Sequence, residues 1–260
     1  MSQPPKLDSS LLLLNAKGGG SPIFMVNGLG GDASGLSELV RLMQVSQPIY
    51  GIEPRGIDGL EEPLERIEEM AEFNLNAIQR IQPRGPYYLI GYSLGGLVSL
   101  ETARRLSKIG EKIALLAMLD SYPNRRYLPF GQQARLILRL SKLRAASLIQ
   151  IAHRRDLSVN GNGRANRNEP LNEATDRAFE RLRAAQYCAL RRYRPTFYDG
   201  KANFVQAQVR SIFPDDPVAV WSPLLKSFEM ETLDCDHRAL FTTHVARLAS
   251  LLSRFVEEAQ

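Results

Sequence analysis

Short apolar runs alternate along the chain with longer stretches in which apolar residues recur every three or four positions. The first four apolar runs cover residues 22–26, 48–52, 87–90 and 113–119. Between the second and third runs, residues 62–81 have helical spacing, and Pro83 and Gly85 follow as stop signals. A further helix is expected from Leu94 to Ile109, ending at Gly110. This alternation predicts βαβ units around a mostly parallel sheet.

The pattern changes after the fourth predicted strand. Residues 132–154 form an Arg-rich amphipathic stretch, residues 156–172 are polar and predicted to be a mobile loop, and residues 172–193 are helical again. Strands resume at 202–208 and 228–233, and a helix over 239–255 closes the chain. We therefore expect one α/β domain over residues 1–260, doubly wound, with a helical lid insertion over about 122–195.

The most specific motif lies where the third predicted strand ends. Gly91-Tyr92-Ser93-Leu94-Gly95 is a G-x-S-x-G sequence between a strand and a helix, which is the context that a nucleophile elbow requires. The tight turn needs glycine on both sides and lifts the serine hydroxyl clear of the sheet. A phosphate-binding loop is excluded because the G-K-[ST] ending is missing. The sequence predicts Ser93 as a nucleophile.

A serine hydroxyl needs a base, and the base needs an acid that orients it. The chain has three histidines. His237 lies between the last predicted strand and the last helix, where the order Ser, acid, His of α/β-hydrolases puts the base. His153 in the Arg-rich insertion and His244 in the closing helix are read as structural.

The acid is expected at a strand end between Ser93 and His237. Asp120 directly follows the strand over 113–119, which would lie beside the elbow strand and share its crevice. Asp215 and Asp216 are alternative acids on the loop after the next strand, and an aspartate-capped turn explains them equally well.

The oxyanion hole needs two backbone N–H groups that point at the tetrahedral oxygen. One is expected from Leu94, directly after the nucleophile. The other is expected from Leu29, within the glycine loop of residues 27–31 that follows the first predicted strand. The alternative is a simple glycine turn without a catalytic role.

Charge adds a second feature, because the net charge of +5 is unevenly placed. Residues 121–195 hold 16 Lys or Arg and 5 Asp or Glu, whereas the remaining residues have a net charge of −6. The lid therefore carries a basic patch. No helix-turn-helix, RNP or zinc pattern accompanies the charge, so a nucleic-acid partner is not expected.

Other compositional signals exclude further classes of protein. The longest apolar run has seven residues, against roughly 20 for a membrane-spanning helix. The first residues lack the pattern of a signal peptide, so a cytoplasmic protein is expected. Cys188 and Cys235 form neither a metal spacing nor a disulfide framework, and both are expected to be reduced.

Several motifs, taken together with the elbow, resemble one family. They are GIEPRG at 51–56, IEEMA at 67–71, QPRGPYYL at 82–89, LDSYP at 119–123, RYRP at 192–195, DDP at 215–217 with Trp221, and CDH at 235–237. Over about residues 18–255 the chain resembles the thioesterase domains that end polyketide synthases, non-ribosomal peptide synthetases and fatty-acid synthases. The sequence departs from common family patterns at Asn27, where His is frequent, and at Cys235, where Gly is frequent.

The resemblance implies an α/β-hydrolase with a Ser-His-Asp triad and no cofactor or metal. Such an enzyme takes an acyl, polyketide or peptidyl chain from the phosphopantetheine arm of a carrier protein onto its serine. It releases the chain to water or by cyclisation. The family acid lies where Asp120 lies, whereas a related stand-alone editing group would use Asp215.

Two other functions are open. One is an esterase that acts on small carboxylic esters. The other is a binding protein that has lost activity, which the intact Ser93, Asp120 and His237 disfavour.

The resemblance also suggests that the basic lid docks an acidic carrier protein. Solvated charge and adsorption to an anionic membrane are alternative roles for the arginines. The lid's apolar residues either line an acyl tunnel or pack the lid on the core. They are Leu136, Ile137, Leu140, Leu143, Leu148 and Ile151.

Overall fold

The computed structural model describes residues 10–141, 173–209, 214 and 216–260. Within these ranges seven strands form one sheet in the order β1-β3-β2-β4-β5-β6-β7. The strands are β1 Leu11–Asn15, β2 Ile23–Val26, β3 Ile49–Ile52, β4 Tyr87–Tyr92, β5 Ile113–Leu119, β6 Tyr198–Ala207 and β7 Leu225–Leu233. Strand β1 runs antiparallel to β3, and all other pairs are parallel. The mostly parallel α/β sheet is therefore confirmed.

Helices cover both faces of the sheet. They are α1 Ser37–Leu42, α2 Ile67–Ile81, α3 Leu94–Lys108, α4 over 130–141, α5 Glu173–Arg192, α6 Pro217–Trp221 and α7 Val245–Glu258. Strand β5 shows the two layers: Leu116 and Met118 pack in the cluster with α2 and α3, whereas Leu115 and Ala117 pack in the cluster with α1 and α7. Side chains alternate across a strand, so a strand that is apolar throughout is buried on both faces.

Three elements were not predicted, and several predicted elements have different bounds. Strand β6 begins at Tyr198 rather than residue 202, and β7 begins at Leu225 rather than residue 228. Strand β1 has no alternating pattern, and α1 and α6 are short. Helix α2 begins at Ile67 rather than residue 62, after Arg66 in an extended conformation. The closing segment is a 3-10 turn, Ala239–Phe241, followed by α7.

The predicted lid insertion lies between β5 and β6 and includes α4 and α5. Leu136 is buried in the core cluster and Leu140 packs against it, so these two residues pack the lid on the core. Ile137 is 58% exposed and therefore does not pack the lid on the core. Leu143, Leu148, Ile151 and the predicted loop over 156–172 lie outside the described residues. No helix in the described ranges is long and apolar enough to cross a membrane.

Candidate active site

Ser93 lies in a strained turn between β4 and α3. Its φ of +54° and ψ of −117° are unfavourable for any residue other than glycine. A Cβ at Gly91 would collide with the carbonyl oxygen of Gly95, and a Cβ at Gly95 would collide with the carbonyl oxygens at the end of β2. The two flanking glycines therefore let β4, α3 and β2 approach each other closely, as the motif predicts.

The Asp120 carboxylate and the His237 imidazole lie within hydrogen-bond distance although they are 117 residues apart. The Oδ2 of Asp120 is 2.8 Å from Nδ1 of His237. The Asp120 side chain is 2% exposed, and its Oδ1 accepts a hydrogen bond of 3.2 Å from the Ala207 N–H. When the proton on Nδ1 points at this carboxylate, Nε2 is the ring nitrogen that can accept a proton.

Tyr92 contacts His237 through both its ring and its hydroxyl group. Its ring stacks on the imidazole with 4.7 Å between centroids, and its hydroxyl donates a hydrogen bond of 2.8 Å to the His237 carbonyl. Burial and the nearby Asp120 charge raise the pKa of Tyr92 far above its ordinary value, so the hydroxyl stays neutral. Tyr92 was not predicted as a site residue, and its only signal in the sequence is an aromatic side chain directly before the predicted nucleophile.

Ser93 and His237 line the same open cleft, together with the glycine loop and one face of α5. From α5 the cleft receives Arg183, Tyr187 and Leu190, which are spaced four and three residues apart. Residues at this spacing share one face of a helix. The lid therefore forms one wall of the site.

The Asn27 side chain makes two hydrogen bonds to the backbone of the glycine loop and the residues after it. Its Oδ1 accepts a hydrogen bond of 2.7 Å from the Gly28 N–H, and its Nδ2 donates one of 2.7 Å to the carbonyl of Asp32. Asn27, which stands where the family frequently has histidine, thus stabilises the loop through two hydrogen bonds. Leu29 lines the cleft beside Ser93, and Leu94 is the first residue of α3, so both predicted N–H donors lie at the site.

The alternative acids and bases have structural contacts of their own. Asp216 is the N-cap of α6, and its Oδ1 accepts a hydrogen bond of 3.0 Å from the Ala219 N–H. His244 is the N-cap residue of α7, with its Nδ1 3.0 Å from Oγ1 of Thr243. Asp215 and His153 lie outside the described residues.

Cys235 is 4% exposed and packs in the core cluster, two residues before His237 in the loop that follows β7. Burial raises the pKa of its thiol to about 11, with the neighbouring aspartates as a smaller cause. The thiol is therefore neutral near pH 7 and is not a nucleophile. Across the described residues, no three His, Cys, Asp or Glu side chains are placed to hold a metal ion.

Comparison with known proteins assigns the chain to a family. The model of the thioesterase domain family matches residues 21–256. The NocB thioesterase domain from the nocardicin cluster superimposes with a TM-score of 0.71 at 19% identity, over 96% of this chain and 100% of that one. The type II thioesterase BorB from the borrelidin cluster gives 0.68 at 17% identity, over 97% and 100%. These structures share the fold.

Curated relatives are large synthases. The chain is 39% identical to the dimodular non-ribosomal peptide synthase of Bacillus subtilis, over 47% of this chain and 5% of that protein. It is 40% identical to the indigoidine synthase of Dickeya dadantii, over 43% and 8%. It is 39% identical to polyketide synthase PksR of Bacillus subtilis, over 43% and 4%. The chain thus spans a small fraction of the length of these relatives.

Proposed function

Because the chain belongs to the thioesterase domain family, whose members are hydrolases that act on thioesters, we propose that it releases an acyl, polyketide or peptidyl chain from the phosphopantetheine arm of a carrier protein. Ser93 is the nucleophile, His237 the base and Asp120 the orienting acid. The observation that carries this proposal is the 2.8 Å contact between Asp120 and His237 in a site that also contains the elbow serine.

The reaction begins with attack of the Ser93 hydroxyl oxygen on the thioester carbonyl. The Nε2 of His237 takes the hydroxyl proton, and Asp120 stabilises the imidazolium that forms. The N–H groups of Leu29 and Leu94 stabilise the oxyanion. When the intermediate collapses, the carbon–sulfur bond breaks and the leaving thiolate takes the proton from His237. An acyl-serine ester is left.

The second half-reaction repeats these steps with a different nucleophile. Water, or a hydroxyl or amine of the acyl chain itself, attacks the Ser93 ester while His237 removes its proton. The oxyanion collapses again, and Ser93 regains its proton from His237. Water gives a free acid, and an internal nucleophile gives a ring.

An acidic carrier protein that docks on the basic lid would deliver this substrate. Relatives named as non-ribosomal peptide and polyketide synthases support a carrier-bound substrate. Arg125, Arg126 and Arg135 are exposed in the first part of the lid, which follows β5 and Asp120. Opposite charge at the mouth of the site would speed encounter with the carrier. Lys142 and Arg144, which belong to the same predicted patch, lie outside the described residues.

Intact-protein mass spectrometry with a panel of acyl-pantetheine donors tests the proposal. The wild-type protein is expected to gain the mass of one acyl group, with the adduct on Ser93, and Ser93→Ala is expected to gain none. The products separate the two release modes, because a cyclised product is lighter than a hydrolysed one by one water. Absence of any adduct and of thioester turnover would contradict the proposal.

A paired substrate assay tests the esterase alternative. Pantetheine thioesters and nitrophenyl esters of equal chain length are compared on the same enzyme. We expect the thioester to have the higher kcat/KM, and a strong preference for nitrophenyl esters with negligible thioester turnover would favour the esterase.

A further inference from the structure

One hydrogen bond joins the lid to the glycine loop beside the nucleophile. The Gly30 N–H donates to Oε1 of Gln186 on α5, with 2.6 Å between the two heavy atoms and 156 residues between them in sequence. Gln186 is 5% exposed, so water competes little for this bond. Gly30 has a φ of +73°, and a Cβ at this position would meet the Arg183 side chain at 2.8 Å. Helix α5 therefore rests directly on the loop.

The amide groups of the loop have different partners. Asn27 accepts the Gly28 N–H, the Gly28 carbonyl accepts the Gly31 N–H at 3.0 Å, and Gln186 accepts the Gly30 N–H. Within the described part of the chain, the Leu29 N–H has no acceptor. The loop is thus held on both sides of the Leu29 amide, which is the amide of this loop that the proposed mechanism uses.

We infer that Gln186 is a positioning residue for the oxyanion hole, because its bond to Gly30 fixes the loop so that the Leu29 N–H points at the reacting carbonyl. The backbone at Gly30 would otherwise change conformation at little cost, since glycine adopts many backbone conformations, and such a change would shift the adjoining Leu29. The bond lies in a part-buried place, where an amide N–H without an acceptor is unfavourable, so loss of Gln186 would leave the loop to reorganise around Gly30. The inference rests on the proposed function.

Gln186→Met tests this role, because methionine has a similar length and volume but offers no comparable acceptor. Removal of one oxyanion donor costs about 100-fold or more in kcat. Misplacement of the donor through Gln186 is expected to lower kcat by about 10- to 100-fold, with KM for an acyl-pantetheine changed by less than about twofold. Binding of a boronic acid, which mimics the tetrahedral intermediate, should weaken in parallel with kcat/KM.

Gln82→Met is the matched control. Gln82 is also buried, and its Nε2 donates to the carbonyls of Arg84 and Pro86 before β4, at the opposite end of that strand from Ser93. We expect this variant to lose stability but to keep kcat and boronic acid affinity. A folded Gln186→Met protein with wild-type kcat, or one whose whole defect lies in KM, would overturn the inference.

Amide hydrogen exchange on the wild-type protein gives a second test that does not depend on a folded variant. The Gly30 amide is expected to exchange at least about tenfold more slowly than the Leu29 amide, because only the former is hydrogen-bonded. Equal exchange at both amides would overturn the inference. The proposed function fails separately, if wild-type protein and Ser93→Ala have the same thioesterase activity.

Discussion

Ser93 and Asp120 both have backbone conformations that residues other than glycine rarely adopt. Their φ angles are +54° and +46°. Each such residue costs about 1–3 kcal/mol of stability, and surrounding structure must hold it there. The Asp120 N–H donates a hydrogen bond of 2.7 Å to the Val205 carbonyl, and the Ser93 N–H donates one of 2.9 Å to the Leu119 carbonyl. Neighbouring strands thus hold the strained residues in place at the site.

The strain at Ser93 predicts a difference in stability between two variants of this residue. Ser93→Gly relieves the unfavourable φ, whereas Ser93→Ala keeps a Cβ and the strain. Glycine loses more chain entropy on folding, which offsets up to about 1 kcal/mol of the relief. We expect the free energy of unfolding in urea to be about 1 kcal/mol higher for Ser93→Gly than for Ser93→Ala. Equal values, or a less stable glycine variant, would show that the serine conformation is not strained.

The contacts of Asp120 and Asp216 predict that an Asp→Asn substitution abolishes most activity at Asp120 and has little effect at Asp216. Asp120→Asn would favour the wrong histidine tautomer and remove the charge that stabilises the imidazolium, so kcat should fall by about 10⁴-fold. Asp216→Asn should retain activity and stability, because asparagine caps a helix as well as aspartate does. Steady-state kinetics with an acyl-pantetheine measures both. Asp215→Asn completes the set, and an inactive Asp215→Asn protein beside an active Asp120→Asn protein would move the acid to Asp215.

Cys235 predicts a loss of stability at alkaline pH. Burial raises the pKa of its thiol to about 11 in the folded protein, whereas an unfolded thiol has a pKa of about 8.5. As pH rises between these values, the unfolded state loses a proton that the folded state keeps, so the free energy of unfolding falls. The loss should reach about 1–3 kcal/mol. Urea unfolding of wild type and Cys235→Ala from pH 8 to 11 checks it, and parallel curves would contradict it.

At the scale of elements, the order of the strands explains where the site lies. Strand β2 lies between β3 and β4, and the chain order of the sheet reverses there. Parallel sheets form a crevice at such a switch point, outside the carboxyl ends of the strands. The glycine loop leaves the end of β2, and the elbow leaves the end of β4. The topology therefore brings the proposed oxyanion donors and the nucleophile together.

Because α3 approaches β2 closely, we expect the added methyl group of Gly95→Ala to destabilise the protein strongly. Gly95→Ala would place a Cβ against the carbonyl oxygens of Val26 and Asn27, so the helix would have to shift. We expect a loss of about 3 kcal/mol or more in the free energy of unfolding, because overpacking here meets backbone rather than flexible side chains.

Two other glycines give graded controls for that measurement. Gly110 has a φ of +85° but open space around its Cβ position, so Gly110→Ala should cost about 1 kcal/mol through backbone strain alone. Gly19 has open space and no positive φ, so Gly19→Ala should change stability by less than about 0.5 kcal/mol. A Gly95→Ala protein as stable as the Gly19→Ala protein would contradict the packing argument.

At the scale of the whole molecule, charge separates the lid from the rest of the chain. Residues 121–195 have a net charge of +11 and the remainder has −6. Since the Debye length at 0.15 M salt is about 8 Å, only charges near a contact influence a partner. Under the proposed function, this asymmetry should affect a carrier-bound substrate and leave a small one unaffected.

Reversal of Arg135 and Arg139 to Glu tests the basic lid. We expect KM for an acyl-carrier substrate to rise about tenfold and to lose most of its salt dependence, while KM for an acyl-pantetheine stays the same. Arg41→Glu on α1, where Arg41 pairs with Glu38 outside the lid, is the control and should affect neither substrate. Equal effects on both substrates would mean that the lid charge is a solvated surface.

The local sequence pattern was sufficient to predict most of the strands and several of the candidate site residues. Apolar runs predicted the buried parallel strands because a strand covered on both faces is apolar at every position. The elbow could be read directly, since its glycines, serine and flanking elements are adjacent in sequence. His237 followed from its place between the last strand and the last helix. Strand β1 was not predicted although Leu11–Leu14 are all apolar. It lies at the edge of the sheet, paired with β3 and without a fully buried residue.

Contacts between distant segments were decided only by the tertiary structure. The sequence left Asp120, Asp215 and Asp216 as candidate acids, and the fold brings the Asp120 carboxylate to His237 while Asp216 caps α6. The stacking of Tyr92 on His237 and the bond from Gly30 to Gln186 had no signal in the pattern. Periodicity reports whether a residue is buried, but the identity of its partner depends on which elements the sheet order places side by side.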